Sequence, residues 1–134
     1  MRAVGFYIRF DIMGLFGKIF SRPPKPGKPL PVTDADFEDL VIRSEVPAVV
    51  DFWAPWCAPC SVMGGLLSEI GPEYAGRVNI FKMNVDQSPA TSAQFGVRSI
   101  PTVILFRNGK PVERIVGLLP LKPLKQKLDS LAAE

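Results

Sequence analysis

Histidine is absent from this sequence, and cysteine occurs only at Cys57 and Cys60. A structural zinc site takes four ligands. With no imidazole and no third thiol, the pair could serve such a site only in a dimer that pooled two pairs, so no metal is expected. A structural disulfide is a second reading. It would close a loop of four residues and remove little entropy from the unfolded chain. Two inert buried thiols is a third reading, which the flanking Trp and Pro residues argue against. Long apolar runs are missing too. Arg9, Asp11 and Lys18 interrupt the first stretch, leaving nothing long enough to span a bilayer and no core of a secretory signal. Strong charge of one sign is also lacking. A net +3 makes no case for nucleic acid as a partner. Two cysteines in a lone CxxC fit a reducing compartment better than a disulfide scaffold, so a cytoplasmic location is expected.

What is present centres on Trp53-Ala54-Pro55-Trp56-Cys57-Ala58-Pro59-Cys60, which holds both cysteines and both tryptophans. Ala48–Phe52 before it is short, apolar and β-branched, the pattern of a buried strand. After it, Val62, Met63, Leu66, Leu67 and Ile70 recur at helical spacing. The cysteines therefore fall where a strand ends and a helix begins. Unpaired N–H groups and a partial positive charge at a helix start favour thiolate over thiol. The thiolate is the form that attacks a disulfide, and CxxC beside a β-α pattern points to redox chemistry. Two charges stand out in apolar surroundings. Asp51 lies amid Val49, Val50 and Phe52, where an anion is costly to bury and its pKa should rise; the competing reading turns it to solvent. Lys82 lies in the run Val78–Val85; the competing reading is a snorkelling surface lysine.

Val50–Cys60, Lys82-Met83-Asn84-Val85-Asp86, Ser99-Ile100-Pro101-Thr102 and Val116-Gly117, taken in order, resemble the successive motifs of the thioredoxin family. The likeness runs from about Val32 to the C-terminus. It implies an α/β fold with a central mixed sheet of four to five strands and helices on both faces. It implies Cys57 as the exposed nucleophile, Cys60 as the resolving thiol, Asp51 as a buried acid/base beneath them and Lys82 as its modulating neighbour. Pro101 would be cis, and Trp53 structural. Trp56, Ala58, Pro59, Ile100, Pro101, Gly117 and Leu118 would form the substrate face. The implied partners are disulfide-containing proteins and a thioredoxin reductase as electron donor, with no cofactor and a monomeric state. Three departures stand out. Gly64-Gly65 occupies the place of the family's kink proline, Ala58 that of its usual glycine, and no histidine lies between the cysteines, which favours a reductant.

Residues 1–31 lie outside the resemblance and are expected as an extension to a domain over 32–134. Within 12–20, Ile12, Leu15, Phe16, Ile19 and Phe20 fall on one side of a helix. That would suit docking on a partner or peripheral membrane contact through residues 1–28. The competing readings are a tail without fixed structure, or a true start at Met13. Residues 21–31 form a basic, proline-rich linker whose stiff part would span roughly 25 Å. A first strand near Lys28–Val32 should be very short or missing, because Pro29 and Pro31 lack donors on the same side. Thr33–Asp36 reads as an N-cap for a helix through Phe37, Leu40 and Val41. Strands are expected over Ala48–Trp53, Asn79–Asn84, Thr102–Arg107 and Val112–Val116, a short helix over Pro89–Phe95, and a last helix with Leu121, Leu124, Leu128 and Leu131 inward behind a poorly capping Pro120. The leading function is a protein-disulfide reductase. The alternatives are a membrane-associated reductant dedicated to one client, and a non-enzymatic interaction subunit.

Overall fold

The computed structural model describes residues 26–133. The amphipathic segment expected over 12–20 and the start of the linker lie outside them. Ala48–Trp53 (β2) is buried on both faces, as its unbroken apolar character requires. Its neighbours on one side are Asn79–Asn84 (β3) and then Leu30–Pro31 (β1), all parallel; on the other are Thr102–Arg107 (β4) and Lys110–Val116 (β5), both antiparallel steps. The result is a mixed five-stranded sheet in the order β1-β3-β2-β4-β5.

The two-residue β1 sits at the sheet edge, where a proline's missing donor can face away from the ladder. The Val32 N–H continues the pairing to the Lys82 carbonyl at 2.9 Å. Residues 26–31, expected as the end of a spacer, lie against the domain instead. Gly27 and Gly71 meet backbone to backbone: a Cβ on Gly71 would stand 2.0 Å from the Gly27 oxygen, and one on Gly27 2.3 Å from the Gly71 oxygen. Only glycine fits at either place. Lys28 Nζ adds a 3.0 Å bond to the Ser68 carbonyl, a cation at a helix C-terminus.

Alternation along the strands divides the core. Val49 on one face packs with Met63, Leu67 and Ile70 of the helix Ala58–Ile70 (α2) and with Leu124, Leu128 and Leu131 of the helix Leu121–Ala132 (α4). Val50 and Phe52 on the other face pack with Phe37 and with Val41 of the π-type helix Glu38–Ile42 (α1). Phe95, just after the helix Pro89–Gln94 (α3), stacks within 6 Å of Phe37 and Phe106, at 5.5 and 5.4 Å between ring centres. Each large apolar side chain so buried contributes about 1.5–3 kcal/mol.

Local differences from the sequence reading have local causes. Thr33–Asp36 does not cap α1, whose first residue has no side-chain cap. Asp36 turns back to accept from the Thr33 N–H and hydroxyl. Asp34 reaches across to α3, accepting from Ala90 N–H at 3.0 Å and Thr91 N–H at 2.9 Å. Val62, Leu40 and Leu121, expected inward, are 53%, 40% and 36% exposed. α2 runs unbroken through Gly64-Gly65, ends at Ile70 and tightens into a 3₁₀ turn over Gly71–Tyr74. Asn108 and Gly109 both have positive φ, 53° and 76°, the two-residue primed turn that suits a hairpin's twist. Pro120 precedes α4 without a side-chain cap, as expected.

Candidate active site

The end of β2 and the start of α2 bring the cysteines together. Cys57 is the N-cap residue of α2, with extended backbone angles of φ −99° and ψ 106°. Its sulfur accepts from the Cys60 N–H at 3.2 Å. This is the bond an N-cap oxygen ordinarily takes, here made to sulfur. Pro59 falls in the first helical turn, where a missing N–H leaves no ladder bond unmade. Cys57 and Cys60 are joined as a disulfide, their Cα atoms 5.2 Å apart. Cys60, one turn in, is 2% exposed and Cys57 7%. Cys57, expected as the exposed thiol, is therefore itself buried in the disulfide form, only slightly more open than Cys60.

Asp51 faces α2, two residues along from Val49 on the same side of β2. Of the two readings, the buried one holds: the residue is 2% exposed, and Oδ1 has no hydrogen-bond partner. Burial pushes its pKa up to about 7, against the opposing pull of the Lys82 ammonium. Lys82 stands directly across the β2–β3 ladder from Asp51. It is half-buried, with Nζ 5.7 Å from the Trp53 ring centre. The ring therefore walls the lysine in, an attractive cation–π arrangement. A cavity of about 200 Å³ joins these groups, lined by Asp51, Trp53, Cys60, Gly64 and Lys82, with Pro29 across from the helix.

Ile100-Pro101 is cis, as expected. The Ile100 carbonyl lies 3.8 Å from Cys57 Sγ. The Gly117 N–H donates to the Pro101 carbonyl at 2.8 Å, which locks the start of β4 to the end of β5. Trp56 is 70% exposed and Leu118 48%; Ala58 and Pro59 are exposed, Ile100 and Gly117 half-buried and Pro101 buried. The structure thus packs Ile100 against the disulfide, together with Trp53 and Val85, while Trp56 adjoins Cys57 in the chain. It adds residues that sequence reasoning missed. Val97, Arg98 and Ser99 join Trp56, Val85 and Ile100 in lining a groove of about 150 Å³. Asp86 accepts from Trp56 Nε1 at 2.9 Å and fixes the indole. The sequence signal for this anchor was weak, because Trp56 and Asp86 are thirty positions apart. Among the described residues no group of three or more His, Cys, Asp or Glu is placed to hold a metal.

A CxxC pair with a helix N–H on one sulfur, a cavity shared by Cys60 and a buried carboxyl and a groove along Trp56 and Ile100 can, in its dithiol form, reduce another disulfide by exchange. The thioredoxin family model matches residues 28–130. A thioredoxin of Haemophilus influenzae is 56% identical over 91 residues, which cover 68% of this chain and 85% of that protein. Thioredoxin 1 of Nostoc sp. is 43% identical over 98 residues, covering 73% of this chain and 92% of that one. A chloroplastic M-type thioredoxin of Pisum sativum is 44% identical over 98 residues, covering 73% of this chain and 57% of its own.

Proposed function

Because this chain belongs to the thioredoxin family, we propose that its two sulfurs act in a fixed order, Cys57 attacking and Cys60 resolving. That it is a thiol–disulfide oxidoreductase which reduces protein disulfides follows from the relatives and the bonded pair together. In the reduced enzyme, Cys57 thiolate attacks one sulfur of a substrate disulfide, and the other sulfur leaves as a thiol. Cys60 then gives up its proton and attacks Cys57 Sγ. The substrate's second thiol departs, and the Cys57–Cys60 disulfide carries the two electrons' worth of oxidation. The observation that carries this order is the Cys60 N–H on Cys57 Sγ at the helix start. It lowers the cost of negative charge on Cys57 and not on Cys60.

Asp51 serves as the base for Cys60. The two line one cavity, and a carboxyl titrating at about 7 can take a proton from the thiol through water and return it. Lys82 across the ladder keeps that carboxyl from rising further. The groove beside Trp56 and Ile100, with Ala58, Pro59, Pro101, Gly117 and Leu118 around it, receives an extended segment of the substrate. The family implies a reductase that recharges the disulfide. Reduction of insulin by this protein with NADPH and a thioredoxin reductase tests the reading. Cys57→Ser should abolish turnover, whereas Cys60→Ser should accumulate mixed disulfides that are visible on a non-reducing gel. Turnover retained in Cys57→Ser would overturn the order.

Working in the cytoplasm, with residues 1–28 held at a membrane surface, is the finer reading. The membrane contact is compatible with where the chain enters the fold. β1 runs parallel to β2, whose far end carries the cysteines, so Pro26 lies at the opposite pole beside Gly76 and Asn79. A tether there leaves the disulfide facing outward.

A further inference from the structure

Gly64 and Gly65 sit in the interior of α2, where each glycine costs up to about 1 kcal/mol relative to alanine. Neither is there for want of room. Neither has the positive φ that marks glycines elsewhere in the chain. A Cβ on Gly65, which is exposed, would meet nothing within 4 Å. A Cβ on Gly64 would meet one group only, Asp51 Oδ2, at 3.9 Å. The helix thus carries a destabilising pair that packing does not require, and one member faces the buried carboxyl. The cavity there, about 200 Å³, has room for several waters, each needing roughly 10–15 Å³ of such space. Its groups give water polar partners: the unpartnered Asp51 Oδ1, the Lys82 ammonium and the Ser61 hydroxyl.

We propose that Gly64, by having no side chain, keeps open the route along which water carries protons between solvent and Asp51, between α2 and Pro29 of the N-terminal segment. The inference rests on Asp51 being the base for Cys60. In the resolving step the Cys60 S–H bond breaks and its proton passes by water to the Asp51 carboxylate. The Cys60–Cys57 bond forms, and the substrate sulfur leaves and takes a proton from solvent. Asp51 must then return its proton to bulk water, and a residue 2% exposed cannot do so without a path. Gly64 is a positioning residue of this path and touches no substrate.

The test follows the resolving step alone. A mixed disulfide is formed between Cys57 and 5-thio-2-nitrobenzoate, and release of the coloured thiolate by Cys60 is timed from about pH 5 to 9, across the range where Asp51 changes charge. Gly64→Leu, which fills the cavity, should slow release at least about fivefold at neutral pH and move its inflection upward, because a further desolvated carboxyl holds its proton more tightly. Gly64→Ala, which the space accepts, should raise the thermal midpoint and give a smaller shift in the same sense. Gly65→Ala stiffens the helix equally and should leave the inflection in place. If Asp51→Asn slows release while Gly64→Leu keeps the native rate and inflection, the access role is lost and the base assignment stands. If Asp51→Asn is itself without effect, the base assignment fails first. An equal shift in Gly65→Ala would assign the effect to helix stiffness and overturn the proposal.

Discussion

Asp51 ties the chemistry of the site to the stability of the fold. Its native pKa of about 7 lies well above the ordinary 3.8. Between those values the folded protein keeps a proton that the unfolded chain has lost. Stability must therefore fall as pH rises from about 4 to 7 and level off above, by at most roughly 4 kcal/mol at 1.36 kcal/mol per unit. Asp51→Ala removes this dependence. It should be more stable than the native protein at pH 8 by a few kcal/mol, the advantage vanishing near pH 4. Urea unfolding of the oxidised forms over that range measures it, and parallel curves would contradict it. The same substitution should slow the resolving step near neutrality. The sequence exposed this residue because a lone carboxylate in an apolar strand is anomalous. The partner of Trp56 stayed hidden because Asp86 in an exposed turn looks like any solvated acid.

The helices show why elements were easier to read than their ends. β2 and β4 are unbroken runs buried on both faces and β3 is a mostly apolar one, and the chain pattern alone places their limits. Caps depend on which residues the fold brings near. Asp34 looked like the start of α1, yet it serves α3, whose own N-cap residue Ser88 makes no capping bond. Partial burial raises the Asp34 pKa, but the bonds from Thr91 and Ala90 outweigh it and leave the carboxyl below its ordinary value. Asp34→Ala should cost about 1 kcal/mol, as for a lost N-cap, and amide exchange in Pro89–Gln94 should quicken. With a depressed native pKa, this contribution is full above the unfolded value of 3.8 and fades as pH drops through the native one. An Asp34→Ala variant with native exchange rates in α3 would show that the bonds carry no stability. Proline at the head of α4 was legible for the opposite reason: it lacks a side-chain acceptor whatever surrounds it.

At the scale of the whole molecule the two ends of the sheet do different work. The carboxyl ends of β2 and β3 hold the disulfide, Trp56 and Asp86. The amino ends receive the chain at Pro26–Lys28, pinned by the Gly27–Gly71 contact and the Lys28–Ser68 bond. No sequence pattern announced that pin, since both glycines sit beside prolines and read as ordinary punctuation. Its consequence is directional. Arg22 and Lys25, just before the pinned residues in the chain, would be drawn to anionic headgroups, at about 1 kcal/mol per cation near the surface, while the disulfide lies at the opposite end of the sheet from Pro26. Full-length protein should therefore sediment with anionic vesicles, and residues 26–134 should stay in the supernatant. Protein bound to the vesicles should reduce insulin as fast as free protein, because the groove beside Trp56 remains open to solvent. A rate that collapses on binding would mean that the groove beside Trp56 is covered at the surface, against the orientation the Gly27–Gly71 contact favours. Gly71→Ala, which forces that contact apart, separates the two cases: its rate should become sensitive to vesicles if the pin sets the orientation.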